Sequence, residues 1–252
     1  MRIKQYTLGS GKPLICIPVT ETGKNEIYEA AEQAAGQAAQ ALEWRMDWFV
    51  EVGQWNQVEE VLGRLAEVSR NMVLLCTFRS KQQGGQKAIA EQEYVMLLQN
   101  IAKSGMADLL DVEVSELSNA PELIASLHSF GQRVIGSQHY FSHTPDMERM
   151  RQELRQMESA GADIGKLAVM PKSPLDVLRL MEVTACMREE NPGYPLVAMA
   201  MGGLGAVSRI GGQLFGSCMT FASAGTASAP GQLPVEDTDL ILNKISESMN
   251  LK

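Results

Sequence analysis

Residues 41–47 have the sequence Ala-Leu-Glu-Trp-Arg-Met-Asp, in which apolar and ionisable side chains alternate. Alternate side chains of a strand point to opposite faces, so Leu42, Trp44 and Met46 share an apolar face. The opposite face carries three ionisable groups, which are Glu43, Arg45 and Asp47. In a closed barrel the apolar face would pack against outer helices and the charged face would line the lumen. Charged groups so placed form either a functional site or a structural ion-pair network.

Seven further strand-like runs resemble this stretch in length and together predict a parallel barrel. The eight runs are Leu14–Val19, Ala41–Asp47, Met72–Phe78, Ala107–Val114, Arg133–Tyr140, Asp163–Met170, Pro195–Met201 and Phe215–Ala222. The helix-length segments between them include Glu26–Gln40, Trp55–Arg70, Ala90–Lys103 and Asp146–Ala160. Strands that alternate with helices form parallel sheets, and eight such units favour a (β/α)₈ TIM barrel. No glycine-rich dinucleotide fingerprint follows the first strand, which weighs against an open, doubly wound sheet.

Length and composition predict one domain of an ordinary α/β protein. The chain has 252 residues, 45% of them hydrophobic and 21% charged, with a net charge of −8. We expect a single barrel over residues 1–252, with residues 1–12 forming an N-terminal hairpin that closes the barrel bottom. The acidic balance argues against nucleic-acid binding, and no apolar run is long enough to span a membrane. The four cysteines lack metal-ligand spacing, and we expect reduced thiols in a cytoplasmic protein.

Lys166 is the residue that points most directly to chemistry. It interrupts the otherwise apolar run Asp163–Met170, and lysine is seldom buried unless it is paired or chemically used. A desolvated lysine supplies a neutral amine that can attack a carbonyl and form a Schiff base. The alternative is a structural lysine whose stem is buried and whose ammonium reaches water.

Other strands deliver ionisable residues to the same predicted lumen. Arg79 ends the third run, Asp111 and Glu113 share one face of the fourth, and His139 ends the fifth. Arg209 follows the seventh run, and the turn-rich segment 228–232 after the eighth suits a mobile lid. The arginines Arg45, Arg79 and Arg209 are expected to hold a carboxylate and to depress the pKa of Lys166. His139 is the natural proton carrier. The set predicts Schiff-base chemistry on a small anionic carbonyl compound.

The remaining histidines and the nearest other lysine are not assigned a role. His128 falls in a helical run and His143 in the loop before Pro145, and Lys172 lies just beyond the sixth strand. Three separated histidines offer no metal triad, so we expect no bound metal and no cofactor.

The motifs, taken together, resemble type I 3-dehydroquinate dehydratase. The segments that carry the resemblance are Glu43–Asp47, Thr77–Ser80 with Gly84-Gly85, Asp111–Glu113, Ser137–His139, Lys166 with Met170-Pro171, Ser208-Arg209, Phe215–Ser217 and Ser228–Gln232. They span nearly the whole chain in the family's order. Their combination is specific, although no single one would be.

The resemblance implies a homodimeric enzyme of the shikimate pathway that converts 3-dehydroquinate to 3-dehydroshikimate and water. Lys166 would form an imine with the substrate ketone, and His139 would move the protons. The positions that match substrate contacts are Glu43, Arg45, Arg79, Arg209, Ser228 and Gln232, the last two on the lid.

Two positions depart from the family pattern. The family usually has a glutamate that supports the catalytic histidine, and this chain has Gln83 there. An amide can hydrogen-bond an imidazole but cannot stabilise an imidazolium by charge. We therefore expect an active but slower enzyme whose histidine has a pKa below the family norm. Pro18 also stands where some relatives carry a serine.

Two alternatives stay open on the sequence. One is a class I aldolase-like Schiff-base enzyme acting on a sugar phosphate, although no glycine-rich phosphate loop is evident after strands seven and eight. The other is a catalytically impaired barrel that acts as a binding protein.

Overall fold

The fold is a parallel barrel wrapped by helices. The structure, a computed structural model, describes residues 1–225 and 229–249. The strands are β1 Arg2–Ile3, β2 Tyr6–Thr7, β3 Leu14–Val19, β4 Ala41–Arg45, β5 Val73–Thr77, β6 Leu109–Glu113, β7 Arg133–Tyr140, β8 Ile164–Val169, β9 Leu196–Ala200 and β10 Met219–Phe221. The helices are α1 Lys24–Ala35, α2 Trp55–Val68, α3 Glu91–Ser104, α4 Ala120–Ser129, α5 Met147–Ser159, α6 Pro174–Glu190, α7 Ala206–Ile210, α8 Gly212–Phe215 and α9 Val235–Ser248.

The barrel strands follow one another in chain order around the sheet. The order is β10-β3-β4-β5-β6-β7-β8-β9, and every neighbouring pair is parallel. The ring closes between β9 and the residues just before β10, where Leu196 and Ser217 form a parallel bridge. There the Cys218 amide donates to the Leu196 carbonyl at 2.7 Å. The predicted (β/α)₈ barrel is confirmed.

The lumen changes from apolar to polar along the strands, and this change positions the site. In the lower half, inward residues such as Cys16, Ala41, Val73 and Ile135 pack into one buried cluster. Stepping two residues at a time along the same strands leads to Glu43, Arg79, Asp111, His139 and Lys166. Leu42, Trp44 and Met46 pack instead with the helices outside, as their alternation predicts. The polar groups therefore collect at the carboxyl ends of the strands, where barrels carry their active sites.

The largest boundary error among the predicted strands is at the eighth. The run Phe215–Ala222 was expected to be extended, but Phe215 ends helix α8 and β10 begins at Met219. Gly216 has φ +99°, a left-handed conformation that glycine adopts without a steric penalty, and it ends the helix. Apolar composition alone cannot distinguish a four-residue helix from a strand.

The short N-terminal strands precede the barrel and contact its lower lumen. β1 and β2 pair in antiparallel fashion, and Ile3 and Leu8 join the apolar cluster of the lower lumen. All four cysteines are free thiols. Within residues 1–225 and 229–249, no helix combines the length and apolarity needed to cross a bilayer.

Candidate active site

Lys166 lies on β8 near the centre of a pocket at the carboxyl end of the barrel, and only 3% of the residue is exposed. Its Nζ atom is 3.3 Å from Glu43 Oε1 and 3.1 Å from Asp111 Oδ2. The same nitrogen lies 4.7 Å from the centre of the Phe221 ring, which adds a cation–π contact. Lys166 is thus held in the lumen by two carboxylates and does not extend to solvent, so the structural alternative of a lysine reaching water is wrong.

Arginines were expected around Lys166, but the groups in direct contact with its ammonium are carboxylates. Arg79 reaches the same Asp111 from the other side, with Nη2 2.8 Å from Oδ2. Its Nη1 donates to Glu113 at 2.8 Å and to Ser137 at 3.0 Å. Burial alone would raise the pKa of the Asp111 carboxyl, but the Arg79 and Lys166 cations hold it below its usual value. Asp111 therefore stays ionised and links the two cations.

His139 ends β7 and is oriented by Gln83, which lies in the 3₁₀ turn Lys81–Gln83. Gln83 Oε1 lies 3.0 Å from the His139 backbone nitrogen and 3.2 Å from His139 Nδ1. Because that oxygen can only accept, Nδ1 carries the proton and Nε2 keeps its lone pair.

Burial lowers the pKa of His139 well below its ordinary value of about 6.5, and the cations Arg79, Lys166 and Arg45 lower it further. The imidazole is therefore neutral at pH 7. A neutral imidazole whose Nδ1 is protonated can accept a proton at Nε2.

Arg209, in α7, is a buried cation without a carboxylate partner among the described residues. Its Nη2 donates to the Pro230 carbonyl at 3.3 Å, and its Nε is buried with no hydrogen-bond partner in that part of the chain. Burial lowers the pKa of Arg209 to about 10, so the guanidinium is still charged at pH 7. A buried guanidinium that lines the pocket, with an N–H group that has no partner among the described residues, is suited to an anionic ligand.

Most of the residues predicted from the sequence line this single pocket. They are Glu43, Arg45, Arg79, His139, Lys166, Arg209 and Gln232. Gln83 lies directly behind His139, and Ser228 lies outside the described residues. Asp47 was expected on the lumen wall with Glu43. It lies instead behind Arg45, accepting two hydrogen bonds from that guanidinium at 2.9 and 3.0 Å.

The residues left without a role lie elsewhere. His128 lies in α4, where its Nε2 is 2.9 Å from Asp163 Oδ2. His143, in the loop after β7, packs against Tyr140. Lys172 is exposed. Within residues 1–225 and 229–249, no group of three His, Cys, Asp or Glu side chains is arranged to hold a metal ion.

Sequence reasoning missed the apolar part of the pocket wall. The additional lining residues include Phe141, Ala168, Met199, Met201, Phe221 and Ala229. Those on strands or just beyond them could have been found by stepping two residues at a time from the lower lumen. Met199 and Phe221, for example, lie two residues after the lumen residues Val197 and Met219. The pocket therefore combines apolar side chains with the charged groups described above.

A buried lysine, a neutral histidine and a buried arginine at the mouth of a parallel barrel place this protein among the (β/α)₈ enzymes. Residues 15–249 match the model of the type I 3-dehydroquinase family. The chain belongs to this family.

Named relatives and solved structures agree with that membership. The 3-dehydroquinate dehydratase of Klebsiella pneumoniae is 38% identical over 245 residues, which cover 97% of this chain and 98% of the relative. That of Clostridioides difficile is 36% identical over 251 residues, covering 99% and 98%. The crystal structure of 3-dehydroquinate dehydratase from Geobacillus kaustophilus superimposes with a TM-score of 0.95 at 36% identity, covering 98% of this chain and 96% of the other.

Proposed function

We propose that this protein dehydrates 3-dehydroquinate to 3-dehydroshikimate in the shikimate pathway, through an imine between Lys166 and the substrate ketone. The observation that carries the proposal is the position of Lys166. It is buried, it contacts the Glu43 and Asp111 carboxylates, and it lines the same pocket as His139. Family membership supplies the identity of the substrate.

The first stage is formation of the imine. The Lys166 ammonium gives up a proton, for which the free Nε2 of His139 is the available acceptor in the pocket. The amine then attacks the ketone carbon. The carbonyl oxygen takes one proton from the attacking nitrogen and the other back from His139 and leaves as water, so that a protonated imine remains and Nε2 is free again. Glu43 and Asp111 hold Lys166 in place for this attack, since both already bond its Nζ.

The second stage is elimination. The protonated imine withdraws electrons from the neighbouring carbon, so His139 Nε2 can remove a proton from it. The electron pair forms the new carbon–carbon double bond and expels the hydroxyl one carbon further on, which takes up the proton from His139 and leaves as water. Hydrolysis of the imine then releases the conjugated enone and regenerates the amine of Lys166.

Substrate binding is assigned to the groups around this centre. Arg209 pairs with the substrate carboxylate, because its guanidinium is buried and has no carboxylate partner among the described residues. Glu43, Arg45 and Arg79 contact hydroxyls, with Arg45 and Arg79 already oriented by Asp47 and Asp111. Gln232, which lines the pocket, is assigned to substrate binding, and the family resemblance assigns Ser228 to it as well.

The Arg209→Lys variant tests the assignment of the carboxylate. Turnover is followed by the rising ultraviolet absorbance of the conjugated enone. Lysine keeps one charge but loses the planar fork that binds a carboxylate with two hydrogen bonds. We expect KM to rise about 10- to 100-fold with a smaller change in kcat.

Arg179→Lys, an exposed arginine on α6, is the matched control and should leave KM unchanged. An unchanged KM in Arg209→Lys would contradict the carboxylate assignment. Cleavage of a sugar phosphate, with no enone from 3-dehydroquinate, would instead favour the aldolase alternative.

Gln83→Glu tests the departure from the family pattern. A carboxylate beside Nδ1 stabilises the His139 imidazolium, so the variant should turn over faster. The acidic limb of its pH–rate profile should move to higher pH. A charged hydrogen bond corresponds to about 1–3 kcal/mol, or a factor of about 5 to 150.

The structure favours the lower end of that range. The second carboxylate oxygen of the new side chain would face Gln138 Oε1 and Glu116 Oε1, which now accept from the Gln83 amide. An unchanged rate together with an unchanged pH profile would show that the amide at residue 83 costs the enzyme nothing.

We further propose that the enzyme works in the cytoplasm as a homodimer. The four free thiols fit a reducing compartment, and the dimer rests on the family resemblance. Light scattering during gel filtration measures the mass directly.

A further inference from the structure

Hydrogen bonds hold both the oxygen and the nitrogen of the Gln83 side-chain amide, which fixes the orientation of the amide. Three N–H groups point at Oε1, from the His139 backbone, His139 Nδ1 and, at 3.4 Å, Arg79 Nη1. On the other side, Nε2 donates to Gln138 Oε1 at 3.1 Å and to Glu116 Oε1 at 3.4 Å. Reversing the amide would set its NH₂ group against donors and its oxygen against acceptors. The observed orientation is therefore the only one of the two that satisfies its neighbours.

Glu116 supplies the charged acceptor in this arrangement. It ends the 3₁₀ turn Val114–Glu116 after β6, while Gln83 ends the 3₁₀ turn after the neighbouring strand β5. The second acceptor, Gln138 Oε1, is neutral and also accepts from Ser115 Oγ. A carboxylate that accepts from an amide NH₂ increases the negative charge on the amide oxygen, because hydrogen bonds in a chain polarise one another.

Three cations act on the His139 imidazole from within the barrel, where the Glu43 and Asp111 carboxylates are bonded to Lys166. Arg79, Lys166 and Arg45 all disfavour its protonated form. During the reaction His139 nevertheless has to carry a proton between the carbon and the leaving hydroxyl. On the Nδ1 side the imidazolium can be stabilised by the Gln83 oxygen, which has the Glu116 carboxylate behind it.

We infer that Glu116 is a positioning residue for the reaction, whose carboxylate acts through the Gln83 amide to keep His139 Nδ1 protonated and to stabilise the imidazolium. The inference rests on the proposed role of His139 as proton carrier. Glu116 itself does not line the substrate pocket and does not touch the reacting atoms.

Glu116→Gln is the direct test, because it keeps the acceptor and removes the charge. Glu116 is exposed, so the substitution leaves the fold intact. We expect kcat to fall about three- to tenfold, KM to stay constant, and the acidic limb of the kcat profile to move about half a unit to lower pH. The limb moves down because a less stabilised imidazolium gives up its proton more readily.

Glu91→Gln is the matched control. Glu91 lines the same small cavity as Glu116, but it accepts from the backbone and hydroxyl of Ser118 and does not bond Gln83. Its removal changes the net charge equally and should leave kcat and the pH limb at their wild-type values. Identical profiles for Glu116→Gln and the wild type, or equal shifts in both variants, would overturn the inference.

A double variant separates an effect of Glu116 that is transmitted by the Gln83 amide from a direct electrostatic effect of Glu116 on His139. In a Gln83→Leu background the amide bridge is gone, so adding Glu116→Gln should change neither kcat nor the limb further. A second, additive shift would show that Glu116 acts through space and would overturn the relay.

The failure of the proposed function has a different signature. If His139→Ala kept the wild-type rate, His139 would not be the proton carrier, whatever the Glu116 variants did.

Discussion

Lys166→Ala should lower kcat by at least about 10⁴-fold, because the substitution removes the atom that forms the covalent intermediate. The loss cannot be made up by the remaining residues: the Glu43 and Asp111 carboxylates that hold the lysine have no nitrogen to attack a ketone. The variant also leaves these two buried carboxylates without their shared ammonium. A stability measurement therefore has to accompany the kinetics.

Intact mass after borohydride reduction in the presence of 3-dehydroquinate is the measurement that isolates Lys166. Wild-type protein should gain one adduct that has already lost the water of elimination, and Lys166→Ala should gain none. Lys172→Ala is the matched control, since Lys172 is exposed on the loop after β8 and should leave the adduct in place. An adduct of undiminished yield on Lys166→Ala would place the imine on another amine and overturn the assigned nucleophile.

The part of the fold that could be predicted from the sequence is the part encoded by periodicity. β3 and β7 match their predicted runs at both ends, and the other barrel strands except β10 are shorter by one or two residues at one end or both. The charged face of residues 41–47 indicated where the lumen lies, because a barrel leaves a strand only two faces. Helix α1 was predicted to extend to Gln40 but ends at Ala35, where Gly36 caps it.

The partners of the site residues could not be predicted, because partner choice depends on distances between strands. Sequence reasoning gathered the arginines near Lys166 and did not foresee that Asp111 would bond both Lys166 and Arg79. It identified Gln83 but not the acceptors behind it, which come from the turn after β6 and from β7. Parity along a strand gives the face of a residue, whereas contacts across the lumen depend on the shear of the closed barrel.

His139→Ala should lower kcat by about 10²- to 10⁴-fold, the usual contribution of a general acid–base group, with a smaller change in KM. Imine formation still has its nucleophile and proceeds more slowly, because water has to accept the Lys166 proton in place of His139. The imine then lacks the base that removes the neighbouring proton. After borohydride reduction the trapped adduct should therefore retain the water that the wild-type adduct has lost. The variant separates the two stages of the reaction, whereas Lys166→Ala stops both.

The pH profile provides a second, independent signature of His139. Because burial and three nearby cations keep its pKa well below 6.5, the wild-type rate should stay level as pH falls through 6.5 and decline only further down. The decline follows protonation of Nε2, so it should vanish in His139→Ala. His143→Ala, which alters an imidazole outside the pocket, should keep both the rate and the limb. An acidic limb that survives in the pH–rate profile of His139→Ala would belong to another group. In the trapping experiment, a His139→Ala adduct that has lost its water would show that another base performs the elimination.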